Sequence, residues 1–193
     1  MRNACINTDR ELLLQLQQHD EQALAILMRT HYRSLYNYAS RFIQDEAVIK
    51  DAIQEVFISL WQRRESASSI LSLPFYLLGA VKNKVLKTLQ RDNRRSEALV
   101  ADLQYEFASE FPVEKNIIDK QLAEENAQRL RSVISNLSAR QREIIYLKFY
   151  QQLDHGQIAA LMSISQQSVY NLLHETIQKL KKCWQSELLM TVS

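Results

Sequence analysis

Apolar side chains recur along most of this chain at steps of three and four. Leu24, Leu27, His31, Leu35, Tyr38 and Phe42 form one stripe. Ile49, Ile53, Val56, Phe57 and Leu60 form a second, and Leu78, Val81, Val85 and Leu89 a third. Such spacing puts each set on one side of a helix. Leu12, Leu13 and Leu16 predict a shorter helix over 11–18. Asp20 and Asp45 stand where the next two helices open. Ser72-Leu73-Pro74 starts another, since proline is tolerated in a first turn. Between them the run from Arg63 to Leu73, RRESASSILSL, is Ser-rich and aperiodic, and reads as a loop.

The pattern fades over 96–115. Asp102, Glu106, Glu110 and Glu114 reverse the local charge, and Pro112 discourages helix through Phe111. This stretch reads as a linker between two helical domains, 8–95 and 116–186. Ile117, Leu122, Leu130, Val133 and Ile134 open the second. Its centre, Leu137 to Lys182, reads as three helices, the last two forming a helix-turn-helix. Ser138-x-x-Gln141 and Asp154-x-x-Gln157 are capping boxes, in which the short side chain accepts from a backbone N–H while Gln reaches back. Ile158, Ala159, Leu161, Ile164, Val169, Leu172 and Leu173 supply the apolar positions of two short crossing helices. Ala159 is small where they approach, Ile164 plugs the turn and Ser165 can cap the last helix. A helix so presented is the kind laid in a DNA major groove.

Composition narrows the class. Two Gly and two Pro in 193 residues are too few for the turns of a β protein. Leu, Gln and Ala are abundant, with many Glu and Arg, so the fold class is all-α, in two small domains joined by a linker. Net charge is only +2, so a case for nucleic acid must come from local clustering. Cys5 and Cys183 are far apart and form no metal or redox motif, which fits a reduced, cytoplasmic setting. No apolar run reaches membrane-spanning length, and the N-terminus, with Asn3, Asn7 and Asp9, lacks a signal-peptide core.

Three places could carry chemistry. His31 lies in an apolar stripe without a second ligand at matching spacing, so it reads as a packed residue rather than a metal ligand. Asp51, Gln54, Glu55 and Ile58 fall on a second face of their helix. Paired acids there have no pocket or partner base for catalysis. They form either a solvated face or a docking face edged by the aromatic anchors Phe57 and Trp61, and the pattern leaves both open. Lys84, Lys87, Arg91 and Arg94 recur as a one-sign stripe, with Lys82 and Arg95 nearby and only Asp92 interrupting. Beside Phe75 and Tyr76, that stripe offers cations for phosphates and aromatic faces for bases. No Gly-rich phosphate loop, metal cluster or nucleophile–base motif is present, so neither an enzyme nor a cofactor is expected.

The linker sets a geometric condition. The 20 residues of this stretch extend to at most ~70 Å, yet as free coil average only ~25 Å. Two DNA sites two helical turns apart lie ~70 Å distant. The chain can span that gap, but a third body must hold it open.

In order along the chain stand Leu35-Tyr36, Asp51-Ala52-Ile53-Gln54-Glu55-Val56-Phe57 with Leu60-Trp61, Phe75-Tyr76-Leu77 and Val81-Lys82-Asn83. Then follow Leu137-Ser138-x-Arg140-Gln141-Arg142-Glu143, Gln157-Ile158-Ala159, Ile164-Ser165 and Ser168-Val169. Each is weak alone. In this order, from about Gln22 to Lys182, they resemble the bacterial extracytoplasmic-function sigma factors. Tyr170-Asn171-Leu172 looks like a subgroup common in Bacteroidetes.

The resemblance implies an RNA polymerase specificity subunit that directs core polymerase to promoters and starts DNA melting. Asp51, Gln54, Glu55, Phe57 and Trp61 match the motif that docks on the β′ clamp helices, which favours the docking reading of that face. The Arg63–Leu73 loop matches the segment that captures a flipped minus-ten base. Tyr76, Lys82, Asn83, Lys84 and Lys87 match the minus-ten helix, and Arg91 continues its stripe. The helix-turn-helix, with Ser165, Gln166, Gln167, Tyr170, Asn171 and His174, matches the minus-thirty-five reader. Implied partners are core polymerase (β′ clamp helices and β flap), promoter DNA and a membrane-linked anti-sigma protein. Core polymerase would be the third body.

Departures from the family pattern are local. Tyr170, Leu172 and Glu175 stand where basic residues are usual, leaving Lys179, Lys181 and Lys182 further along, so phosphate affinity should be modest. Ser163 occupies a turn position usually held by Gly, and costs ~1–2 kcal/mol if that backbone is left-handed. Gly156 and Gln157 replace more usual acids. The alternative is a stand-alone helix-turn-helix regulator, a dimer in such a reading, which would leave the basic stripe and the Asp51/Glu55 face without roles. A sigma-like chain that has lost promoter binding is a further alternative.

Overall fold

A computed structural model describes the backbone of residues 2–95, 130 and 132–190, and the side chains of 9–91, 130 and 132–184. The linker stretch 96–115, with Ile117 and Leu122, lies outside the described residues, as do the side chains of Asp92, Arg94 and Arg95. Among the described residues every regular element is helical. The chain divides into two compact units, Met1–Leu103 and Gln104–Ser193.

The N-terminal unit contains α1 (Arg2–Gln17), α2 (Glu21–Ala39), α3 (Glu46–Gln62) and α4 (Leu73–Arg95), with a 3₁₀ turn at Arg64–Ser69. Each opening follows from a side chain. Asp20 accepts from the Gln22 N–H, and Asp45 accepts from those of Ala47 and Val48. These bonds satisfy donors that a helix start otherwise leaves unpaired. Mutual packing of α2, α3 and α4 buries Leu27, Leu35 and Tyr38 with Ile49, Ile53, Val56, Phe57, Leu60, Leu77, Leu78, Val81 and Val85. Tyr38 meets Phe42 edge-on at 5.0 Å between ring centroids. Leu24 and Leu89, expected inside, are half-buried, and Ala23 takes the position closest to the core in the first turn of α2.

α1 differs from the expected short helix, for it begins at Arg2 rather than Glu11. Leu12, Leu13 and Leu16 are buried as expected, against α2 and the 3₁₀ turn. His31, on α2, is tied to α1 by a 3.0 Å contact from Nε2 to Asp9 Oδ1. It is a packed, hydrogen-bonded residue.

The C-terminal unit contains a helical segment at 132–135, α5 (Ala139–Ile145), a π turn at Tyr146–Tyr150, α6 (His155–Met162) and α7 (Gln166–Met190). Both capping boxes form, with reciprocal bonds between Ser138 and Gln141 and between Asp154 and Gln157. Ile144, Tyr146, Leu147, Ile158, Leu161, Val169 and Leu173 make the core. The π turn was not expected. It swings the chain out of α5, and Gln151 Nε2 donates to Tyr146 Oη at 2.8 Å across it. Ser163 has φ 55° and ψ 45°, the left-handed conformation. This turn therefore carries the steric cost that a Cβ incurs there.

Two stability predictions follow from this packing, each read in a background with one tryptophan per measurement. Trp61 reports on the N-terminal unit and Trp184 on the C-terminal one. Phe57→Ala should destabilise the first by ~3–5 kcal/mol in urea unfolding, the cost of emptying a buried aromatic site. Ser163→Gly should stabilise the second by ~0.5–1 kcal/mol, as relief of left-handed strain exceeds glycine's extra freedom in the unfolded chain.

Candidate docking and nucleic-acid surfaces

Burial of one side of α3 leaves Asp51, Gln54, Glu55 and Ile58 exposed on the other, with Trp61 half-buried at its end. Phe57 does not belong to this face. It is 1% exposed, because it falls on the same arc as Ile53, Val56 and Leu60. A surface contact by its ring is thereby corrected, and Ile58, 47% exposed, is the apolar side chain available there.

On α4, Asn83, Lys87 and Arg91 are exposed, Lys84 is partly exposed and Tyr76 is half-buried. Lys82 departs from the expected phosphate-contacting role. It is 5% exposed, and its ammonium sits 5.3 Å from the Phe42 ring centroid. The reason is angular, since Leu78, Lys82 and Val85 are four and three residues apart and share the inward arc. The stripe that meets solvent is Lys84, Lys87 and Arg91.

Sequence reasoning did not foresee that the acidic and basic faces touch. Lys84 Nζ forms an ion pair with Glu55 Oε2, joining α3 and α4. The Lys84 hydrogen bond and charge hold the Glu55 carboxyl below the usual carboxylate range, with smaller help from Arg91 and Lys87 and against slight desolvation. Glu55 is therefore anionic at neutral pH. Its contribution is present above the ordinary carboxylate pKa and is lost as pH falls through the depressed value. Both side chains are well exposed, so the pair adds little stability. Core packing sets the two faces side by side, and the pair joins them at their edge.

The Arg63–Leu73 segment is less irregular than a loop. Ser66 N–H donates to Arg63 O and Ile70 N–H to Ala67 O, closing the 3₁₀ turn. Arg64 lies over the Trp61 ring at 4.8 Å and donates from Nη1 to Trp61 O at 3.0 Å. From the other side Gln17 Nε2 donates to Glu65 O at 3.0 Å. No short-range signal could show this support, because its ends are 48 residues apart. Leu71 follows the turn fully exposed.

In the second unit, Ser165 Oγ accepts from the Ser168 N–H at 3.0 Å and so caps α7. Gln166, Gln167, Tyr170, Asn171 and His174 are all exposed on its first turns. Lys179 is engaged elsewhere, donating to Asn136 O at 2.6 Å. Across the turn, Gly156 matters because a Cβ there would stand 3.2 Å from both Asp154 Oδ1 and Gln166 Nε2. The Gln166 side chain thus lies folded over the first turn of α6.

Family comparison assigns both units. Residues 27–95 match the model of Sigma-70 region 2, and residues 127–180 match Sigma-70, region 4. The chain is 22% identical to an ECF RNA polymerase sigma factor SigK of Mycobacterium sp. strain JLS, over 92% of each chain. It is 24% identical to the protein of that name from Mycolicibacterium vanbaalenii, over 89% of this chain and 87% of the relative. It is 18% identical to the ECF RNA polymerase sigma factor SigX of Bacillus subtilis, over 84% of each. Among solved structures, CnrH in complex with the cytosolic domain of CnrY aligns with a TM-score of 0.53 at 21% identity, over 96% of this chain and 99% of that one. None of these relatives bears on the Bacteroidetes-like subgroup, which rests on Tyr170-Asn171-Leu172 alone. Two sigma regions in the expected order, matched along nearly the whole length of the relatives, identify the chain as an RNA polymerase sigma factor of the extracytoplasmic-function family.

Proposed function

We propose a division of labour among the surfaces of this sigma factor. The exposed arc of α3, with Asp51, Gln54, Glu55, Ile58 and Trp61, docks on the β′ clamp helices of core polymerase. The α4 stripe of Lys84, Lys87 and Arg91, with Tyr76, Asn83 and the Arg63–Leu73 segment, binds the minus-ten element and starts its melting. The first turns of α7 read the minus-thirty-five element, while the C-terminal unit also meets the β flap. The 96–115 linker joins sigma domain 2 (8–95) to sigma domain 4 (116–186), and core polymerase sets the distance between them. A stand-alone regulator is not favoured, since it leaves both surfaces of the N-terminal unit unused.

One observation carries this reading: α3 and α4 turn an acidic face and a cationic face outward side by side, linked through Glu55 and Lys84. A protein that must hold a polymerase and a phosphate backbone at adjoining positions needs two surfaces of opposite character in contact. Cytoplasmic work alongside polymerase is consistent with the finding that no helix among the described residues is long and apolar enough to cross a membrane. The solved relative CnrH is bound to the cytosolic domain of CnrY. By that likeness we propose an anti-sigma partner for this chain as well, tethered to a membrane.

Lys84 is a poor probe, because its removal also frees Glu55, so Lys87 and Arg91 are the cleaner choices. Lys87→Ala and Arg91→Ala should each reduce the salt dependence of promoter binding by the holoenzyme by ~0.7–0.9 in the log–log slope. Pull-down of core polymerase by these variants should stay as in wild type. Unchanged slopes would remove the stripe from the DNA contact.

The complementary variant, Asp51→Lys with Ile58→Glu, should lower core capture by at least about tenfold by reversing a charge and removing an apolar contact. In run-off transcription at saturating sigma it should restore most activity, because the DNA surfaces are untouched. Without core polymerase, the full wild-type chain should bind promoter duplex only weakly at physiological salt, since its recognition helix begins with neutral side chains.

A further inference from the structure

The outward side of α7 offers fewer free groups than its sequence suggests. Ser165 and Ser168 are bonded to each other, with 2.8 Å between their hydroxyl oxygens. Gln166 lies against Gly156. Val169 and Leu173 are buried and Leu172 is half-buried. On the first turns, ahead of the exposed Glu175, four exposed side chains remain, and they are paired one helical turn apart. Gln167 Nε2 donates to Asn171 Oδ1 at 3.0 Å. Tyr170 stacks on His174 with ring centroids 6.5 Å apart and planes 13° from parallel.

The amide pair has a definite hydrogen-bonding character. Each amide carries a carbonyl acceptor and an NH₂ with two donors. Their mutual bond leaves the Gln167 carbonyl oxygen and the Asn171 NH₂ outward. Reversing both amides leaves the Asn171 oxygen and the Gln167 NH₂ instead. Either way the pair presents one acceptor beside one donor. In the major groove adenine shows the N6 donor beside the N7 acceptor, whereas guanine shows two acceptors. Cytosine offers only a donor, and thymine an acceptor beside a methyl group. Among single bases only adenine complements both halves of the pair. Guanine would turn O6 toward a carbonyl oxygen and leave both without a donor, a heavy cost once water is excluded. Because the two amides already restrain one another, less rotamer freedom is lost on binding than for two separate side chains.

We propose that Gln167 and Asn171 act as one adenine-reading unit in the upstream promoter element, with Gln167 orienting Asn171. This rests on the proposed placement of α7 in the DNA groove and names the base selected there. Asn171 makes the contact that discriminates, and Gln167 holds its plane and shares the second bond. Tyr170 and His174 lie beside the pair as an aromatic step that can cover the neighbouring sugar or thymine methyl.

The test uses holoenzyme assembled from core polymerase and the full chain. It transcribes a promoter library randomised across the upstream element, and the transcripts are sequenced. Wild type should select adenine over guanine at one position by roughly tenfold, within the range of a paired amide contact. Asn171→Ala and Gln167→Ala should each flatten that position while leaving the other upstream positions and the downstream element selected as before. The double variant should flatten it no further, the signature of a unit rather than of two independent contacts. Asn171→Arg should move the preference to guanine, whose two acceptors suit a guanidinium. An adenine preference that survives both single variants overturns the proposal, as does a different base lost with Asn171. If wild type shows no upstream preference at all, the placement of α7 in the groove fails along with it. That result is distinct from selection that persists without the pair.

Discussion

A helix that commits one arc to a core has only the opposite arc to offer a partner, and that constraint governs this molecule. In α3 the buried arc contains Ile49, Ile53, Val56, Phe57 and Leu60. What remains for recognition is therefore Asp51, Gln54, Glu55 and Ile58, whatever the sequence motif around them suggests. In α4 the same rule takes Lys82 inward with Leu78 and Val85 and leaves Lys84, Lys87 and Arg91 outside. Hydrophobic burial worth ~1.5–3 kcal/mol per large side chain outweighs what any single surface contact contributes, so the core decides the surface.

The two units are built differently for different work. In the N-terminal unit, surfaces come from the sides of long helices locked by a three-helix core, and charge is their main resource. The segment after α3 is an exception, since its 3₁₀ turn buries little beyond Ala67 and leans on α1 through Gln17. The C-terminal unit instead presents the first turns of one helix, oriented by caps and by the tight turn at Ser163. The exposed groups on those first turns, Gln166, Gln167, Tyr170 and Asn171, are neutral. In the proposed scheme, affinity is drawn from the polymerase and from the α4 stripe, and the recognition helix adds selection among bases. The left-handed serine fits this arrangement, for a small steric cost is tolerable where caps on both neighbouring helices hold the turn.

The ion pair between Glu55 and Lys84 shows how weak interactions gain meaning from position. Exposed pairs of this kind seldom stabilise a fold appreciably. This one lies on the seam between an acidic face and a cationic one, where it keeps two long side chains from wandering over each other's surfaces.

Much was legible from local order. The helices of the first unit and the Asp residues at which two of them open, both capping boxes, the turn residue and the outward cationic stripe all follow from spacing and side-chain chemistry within a few residues, because helices are local structures. The same locality made Lys82 misleading, whereas the spacing put Phe57 in the inward stripe and only the docking motif turned it outward. A step of three or four says that residues share a face, but a wide buried arc is bounded only by the neighbours that cover it, and Phe42 and the α2–α4 packing are remote in sequence. The full length of α1, the π turn at Tyr146–Tyr150 and the support of Glu65 by Gln17 had no local signal either. The chain's own pattern thus determined that there would be helices, where most begin, and that one carries cations and another ends in a helix-turn-helix. Tertiary packing decided which of those side chains reach solvent and which charges meet, because burial depends on contacts between residues tens of positions apart.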